Sequence, residues 1–277
     1  MKQHTKKGLL SVFKYPGSKG AMRDRIVGLL PDHRTYCEPF GGSAAVLLAK
    51  QPAPVEWYND LDDVVADFFE LLRTRGEQLD ELCRLVEMTP YSRTELAKAR
   101  ANAYSTDRLE RLRCFLVRSW MTRMGAINDF RTGWKLALSD SKVVGAWNSV
   151  PARMLKAAER LKHCHVENTH ATELMLRVDG DHTVFYIDPP YPESTINFRK
   201  AVIYSKPFTD HDHFDLLSAV VNLKGKAIIS GYRHPLYDQQ LRDWKRLDVP
   251  HVCMSGATKT ECLWLNFEPM QEVECSS

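Results

Sequence analysis

Short runs of β-forming residues recur along this chain, each ended by glycine, proline or aspartate and most followed by a helical pattern. That alternation limits the fold more than any other feature. "TYCEPF" (Thr35–Phe40) is strand-like, and "GGSAAVLLAK" after it reads as a helix. "PVEWYND" (Pro54–Asp60) precedes "LDDVVADFFELLRTR", where Val64, Val65, Phe68, Phe69 and Leu72 recur at helical spacing. "CHVENT", "TVFYID" and "KAIISGY" are further strands. "TDHDHFDLLSAVVNL" is a helix that Thr209 caps, with Asp212 three residues on completing a capping box. "VPHVCMSG" and "TECLWLNF" form a closing hairpin with Gly256 in its turn region. Strands alternating with helices predict an α/β fold with a mainly parallel sheet.

The middle of the chain breaks the alternation. From about Leu82 to Leu161 the pattern is mostly helical, basic and aromatic. We read residues 84–163 as an insert, with residues 1–83 and 164–277 forming the sheet domain. Arg84–His163 holds 16 Lys and Arg against 7 Asp and Glu, whereas the rest of the chain holds 22 against 28. A basic segment inside a mildly acidic body suits a polyanion partner. No apolar run approaches the roughly 18–20 residues that span a membrane, and the basic N-terminus lacks the pattern of a signal peptide. Seven scattered cysteines without a CxxC pair predict reduced thiols and a cytoplasmic setting.

Ligands of open α/β sheets sit beyond the carboxyl ends of the strands, and four features lie at or near such ends. In "EPFGGSAAV", Gly41 and Gly42 follow a strand, and a glycine turn there lets backbone approach a ligand. The stretch is not GxGxxG, which disfavours a nicotinamide dehydrogenase. Asp60 in "YND" comes eighteen residues after Gly42, where an acid suits ribose hydroxyls; an Asx turn or helix cap explains it equally. In "KYPGSKG", Lys19 can pair with a carboxylate and Tyr15 can stack on a flat ring, although a polar turn needs neither. In "VFYIDPPYPES", Asp188, Pro189, Pro190 and Tyr191 follow a strand; two prolines stop a ladder whether or not chemistry follows.

Together and in this order, these stretches resemble the Dam-type, D12-class DNA adenine methyltransferases, including the branch carried by bacteriophages. "WNSVPARMLKAAERLKHCHVEN" and "AIISGYRHPLY" are similar to that branch too, so the resemblance spans Lys14 to about Tyr237. It implies a Rossmann-like S-adenosylmethionine-dependent methyltransferase sheet with an inserted, mostly helical DNA-recognition subdomain. By motif, Tyr15, Lys19, Phe40, Gly42 and Asp60 would line the S-adenosylmethionine site, with Asp188 at its methionine end. Asp188, Pro189, Pro190 and Tyr191 would form the catalytic loop. Two positions depart from the family pattern: Ala44 stands where a further glycine is common, and His170-Ala171 stands where an acid precedes alanine.

The implied reaction is methyl transfer to N6 of a flipped-out adenine in a short sequence of double-stranded DNA. Adenine's exocyclic amine is a poor nucleophile, and a carboxylate and a fixed carbonyl can accept from it and localise its lone pair. The sulfonium donor already carries a good leaving group, so no metal is needed, and we read "HCHVENTH" as an ordinary strand rather than a metal site. The insert interleaves Arg108, Arg111, Arg113, Arg118, Arg123 and Arg131 with Phe115, Trp120, Phe130 and Trp134. An amphipathic helix accounts for any one of these arginines. For the segment as a whole the resemblance favours DNA contact, with Arg118, Arg123 and Arg131 as candidates. The competing readings are methylation of cytosine N4 or of adenine in RNA, and a non-catalytic DNA-binding relative. The target sequence and any partner restriction nuclease are not readable from the residues.

Overall fold

A computed structural model describes residues 8–125, 132–136, 142–195, 208–252 and 258–269. The chain forms two compact units. One comprises residues 25–41, 52–62 and 165–277, the other residues 1–24, 42–51 and 63–164.

The first unit is built on a seven-stranded sheet. Its strands are β1 (Thr35–Glu38), β2 (Val55–Asn59), β3 (Cys164–Glu167), β4 (Thr183–Ile187), β5 (Lys226–Gly231), β6 (Lys245–Val252) and β7 (Thr258–Leu265). Their order is β3-β2-β1-β4-β5-β7-β6. β1 pairs in parallel with both β2 and β4, β4 pairs in parallel with β5, and β7 runs antiparallel between β5 and β6. This is a Rossmann-like α/β sheet. β4 is buried along its whole length, as a central parallel strand must be when both faces are covered.

Alternation along the strands sorts side chains by face. Phe185, Ile187, Ala227, Ile229, Cys262 and Trp264 share a core with Leu174 and Met175 of α8 (Ala171–Val178), Leu216, Leu217 and Val220 of α9 (Asp210–Val220), and Tyr237 of α10 (Pro235–Gln240). The capping box of α9 forms as its sequence predicts: Thr209 accepts from the Asp212 amide while Asp212 Oδ2 accepts from the Thr209 amide at 2.7 Å. The closing hairpin also forms. Its first strand begins at Lys245, earlier than the sequence reading, and Gly256 lies outside the described residues.

The second unit is helical: α2 (Asp63–Thr74), α3 (Glu77–Glu87), α4 (Arg93–Ala101), α5 (Arg108–Met121), α6 (Lys142–Asn148) and α7 (Val150–Leu161). At its centre Phe13, Phe68, Phe69 and Phe115 pack edge to face, with Phe13 and Phe115 centroids 4.9 Å apart. α5 is buried continuously from Leu112 to Met121. The expected helix at Gly41–Lys50 is instead a succession of turns. Gly42 (φ +49°) and Ala44 (φ +52°) both adopt left-handed backbone, which a right-handed helix cannot include.

Among the described residues, no helix is long and apolar enough to cross a membrane, and Cys37, Cys83, Cys114, Cys164 and Cys262 are thiols rather than disulfides.

His213 of α9 is fully buried; its Nδ1 meets the Tyr237 hydroxyl at 2.9 Å, and its Nε2 has no partner among the described residues. Burial lowers its pKa to about 4; His234 acts in the same direction, and Asp210 and Asp212 oppose it. A neutral ring in the fold and an ordinary ring in the unfolded chain give a stabilisation that is complete above about pH 6.5 and is lost as pH falls toward 4. Up to about 3 kcal/mol is at stake. Thermal melting across pH 4–7 should show this loss, and His213→Gln should flatten it.

Candidate active site at the strand ends

Four parallel strands of the sheet unit, β2, β1, β4 and β5, present their carboxyl ends along one edge. β1 sits between β2 and β4, so the chain leaves β1 on one side of the sheet and returns on the other. Crevices at such reversals are where open α/β sheets bind ligands. Phe40 and Gly41 follow β1, Asp60 follows β2, Asp188 to Tyr191 follow β4, and Tyr232 follows β5.

Asn59, at the end of β2, ties the end of β1 to the chain after β3. Its Nδ2 donates to the carbonyls of Pro39 (2.8 Å) and Thr169 (3.0 Å), and its Oδ1 accepts from the Thr169 amide (2.9 Å). The Gly41 amide donates to the Asn59 carbonyl at 2.7 Å. Asp60 is nearly buried, and its Oδ1 accepts from the Asp62 amide at 2.9 Å, an Asx turn that fixes the carboxylate. Its carbonyl accepts from Asn168 Nδ2 at 2.8 Å. Phe40 packs edge-on against Phe208. His170 occupies the exposed N-cap position of α8 without a side-chain capping bond, its Nδ1 2.8 Å from Thr172 Oγ1. His165 stacks on Trp57 at 4.1 Å, a packing role for that ring.

The Asp188–Tyr191 loop is held at both ends from the sheet. Ser230 Oγ donates to Asp188 Oδ1 at 2.8 Å, and the Tyr186 hydroxyl lies 3.0 Å from Ser230 Oγ. Tyr191 donates to the carboxylate of Glu261 (3.1 and 3.2 Å), which is 1% exposed on β7. The Tyr191 ring stacks on Tyr232, with centroids 4.4 Å apart and planes 22° from parallel. Burial, and then the nearby Asp188 charge, push the Tyr237 phenol far above its ordinary range, so it stays neutral. Sequence reasoning named Asp188 and Tyr191 but missed Asn59, Ser230, Tyr232 and Glu261. Their signal was visible only as polar residues interrupting apolar strands.

In the helical unit, Tyr15–Ser18 form a turn closed by Ser18 N–H to Tyr15 O at 3.0 Å, with Gly17 at φ +76°, the type II arrangement that favours Pro-Gly at its centre. Lys19 is 5% exposed and donates to the Gly17 carbonyl at 3.0 Å. Ser18 and Ser43 hydroxyls meet at 2.7 Å. A Cβ on Gly42 would stand 3.2 Å from Tyr15 Cδ1, so the missing side chain is what lets that ring lie against the Gly42 backbone.

Next to this turn, Lys14 Nζ lies 4.4 Å from the centre of the buried Trp120 ring and the Arg153 guanidinium 5.1 Å from it. Burial lowers the Lys14 pKa to about 8, with Lys135 and Arg153 adding to it. The α5 arginines are placed differently. Arg108 and Arg111 bond to Asp67 at 2.7 and 3.0 Å, and Arg113 to Glu110 at 2.7 Å, holding that carboxyl down at about 2. Arg118 is 4% exposed and donates to the Cys114 carbonyl. Arg123 is exposed, and Arg131 lies outside the described residues. The reason is geometric: α5 is buried from Leu112 to Met121, and its arginines bond to acids and carbonyls of the same unit.

Gly41 offers a direct check of the strand-end packing. A Cβ there would lie 2.1 Å from Tyr58 Cε2, inside a fully buried ring. Gly41→Ala should therefore lower stability by about 1–3 kcal/mol, read as a reduced denaturation midpoint.

Compared with models of protein families, residues 15–248 match the D12 class N6 adenine-specific DNA methyltransferase. A search of curated proteins finds no match. The matched span takes in the Tyr15–Lys19 turn, Phe40–Gly42, Asp60 and the Asp188–Tyr191 loop, and covers most of the chain. This protein therefore belongs to the D12 class N6 adenine-specific DNA methyltransferases, enzymes that methylate adenine N6 in DNA with S-adenosylmethionine as donor.

Proposed function

We propose that the Asp188 carboxylate and the Pro189 carbonyl accept hydrogen bonds from the N6 amine of an adenine swung out of duplex DNA, while Tyr191 gives the base a face to stack on. The observation that carries this reading is the Asp188 carboxylate, bonded by Ser230 at the carboxyl end of β4, beside the end of β1. Accepting both amine hydrogens draws the nitrogen lone pair out of the ring and toward the incoming methyl group. Acceptors aimed before the substrate arrives need no reorganisation during reaction. Pro189 and Pro190 restrict the backbone that carries them. Extruding a base costs a few kcal/mol, and stacking on an aromatic ring returns about 1–3 kcal/mol of that.

The donor set suits S-adenosylmethionine, which when bound supplies a methyl group activated by its sulfonium. Asp60, fixed by its Asx turn, suits ribose hydroxyls. Lys19 suits the methionine carboxylate, and Tyr15 and Phe40 suit the flat purine. Gly42, lacking a side chain, lets the Tyr15 ring lie against its backbone, and Asp188 suits the methionine ammonium. Holding donor and acceptor in line can supply roughly 7–11 kcal/mol of barrier reduction.

Residues 84–163 are our proposed target-recognition part, with 1–83 and 164–277 as the catalytic part. For DNA contact we favour the exposed Arg123, with Lys14 and Arg153 over the Trp120 ring and Lys135 beside Lys14. Lys14, whose pKa burial and then its neighbours Lys135 and Arg153 lower, gains from an approaching phosphate. The buried Arg118 supports α5 instead. A cytoplasmic setting accords with seven scattered cysteines and no CxxC pair.

Labelled S-adenosylmethionine and unmethylated mixed-sequence DNA, followed by nucleoside analysis, test the reaction. Label is expected in N6-methyladenine, and Asp188→Ala should reduce it by about 10²–10³-fold or more. Retained activity in that variant, or label in another nucleoside, would overturn the assignment. For the DNA contact, Lys14→Gln combined with Lys135→Gln should weaken binding and make the plot of log affinity against log salt shallower by about two. An unchanged slope would remove these two lysines from the interface.

A further inference from the structure

We propose that Tyr186 and Ser230 are positioning residues that aim the Asp188 carboxylate; this rests on the reading of Asp188 as the acceptor for the adenine amine. A carboxylate at a strand end turns readily about its Cβ–Cγ bond, where the torsion is broad. An acceptor that can turn is not preorganised. The structure removes that freedom through two buried hydroxyls. Ser230 Oγ donates to Asp188 Oδ1 at 2.8 Å, and the Tyr186 hydroxyl is 3.0 Å from the same Oγ.

The direction of this chain follows from chemistry. An ionised carboxylate only accepts, so the Ser230 proton points at Asp188. Ser230 then has only lone pairs left for Tyr186, so the phenol donates. A serine hydroxyl alone is a rotor; donation from Tyr186 locks it in the sense that serves Asp188. Tyr186 is 3% and Ser230 0% exposed, so water does not compete for these bonds. A charge-assisted bond in such surroundings is among the stronger kinds.

The register explains why these residues meet. Ile187 pairs with Ile229 across β4 and β5, which sets Asp188 and Ser230 one step further along the same ladder. Alternation along β4 puts Tyr186 and Asp188 on one face, opposite Phe185 and Ile187. With Oδ1 committed to Ser230, the plane of the carboxylate and the direction of Oδ2 are set before DNA arrives. Tyr191, at the other end of the loop, has its own anchor in Glu261 and does not depend on this one.

Single-turnover methyl transfer, with DNA and S-adenosylmethionine affinities measured alongside, tests the proposal. Ser230→Ala should slow the chemical step about 10–100-fold and leave both affinities within about twofold of the parent. Tyr186→Phe should slow it less, and the double variant should be no slower than Ser230→Ala alone. Ser230→Thr keeps the hydroxyl and should recover much of the rate; Ser230→Val has nearly the same volume without it and should not. Equal rates for Thr and Val, full rate in Ser230→Ala, or a loss confined to affinity would each overturn the proposal. Asp188→Asn separates the two readings. If it is inactive while Ser230→Ala is normal, only the positioning role falls; if it is active, the Asp188 assignment falls and this inference falls with it.

Discussion

The parallel pairing of β1 with β4 is the constraint on which the rest of the sheet unit depends. Thr35, Tyr36 and Cys37 lie beside Thr183, Val184 and Phe185, although nearly 150 residues separate them in the chain. Because β2 flanks β1 on its other side, the chain departs in one direction and returns in the other, and the loops after β1 and β4 emerge side by side. Phe40–Gly41 and Asp188–Tyr191 therefore face a common edge for topological reasons. Closing so long a loop is entropically costly, and the pairing is sustained by burial: Tyr36, Cys37, Val184, Phe185 and Ile187 are all essentially inaccessible to water.

Around that edge the protein buries polar side chains, each with a defined partner. Asn59 satisfies carbonyls and an amide from two other segments, Ser230 bridges Tyr186 and Asp188, and Glu261 accepts from Tyr191. A buried polar group left unpaired costs more than a paired one returns. Networks of this kind thus specify one arrangement more strongly than they add stability. A methyl transferase needs that property, because aligning donor and acceptor is most of its task.

Helix α5 shows the opposite use of charge. Its arginines gave the middle of the chain its basic character, and in the sequence they looked like a surface for a polyanion. Ten consecutive buried residues take in Arg113 and Arg118. Arg108, Arg111 and Arg113 bond to Asp67, Glu95 and Glu110 instead. Elsewhere in the unit, Lys14, before the Tyr15 turn, and Arg153 of α7 both lie over the Trp120 ring. A net charge counted over a window cannot distinguish an internal ion pair from an exposed cation, because the carboxylate that neutralises each arginine is chosen by packing.

The sequence by itself determined the alternation of strands and helices, the capping box of α9, the end of β4 at Asp188 and the Pro-Gly turn before Lys19. All of these are local: hydrophobic period, proline's missing amide, and side chains bonding their own backbone. The order of strands, and the turns that replace a helix at Gly41–Lys50, were decided by tertiary structure, which holds Gly42 and Ala44 in left-handed backbone against the helical preference of the alanines and leucines. So were the partners of Asp188 and Tyr191. Ser230 and Glu261 lie 42 and 70 residues further along the chain from those two. No spacing rule links them; only sheet register brings their hydroxyl and carboxylate within hydrogen-bonding distance of the Asp188–Tyr191 loop.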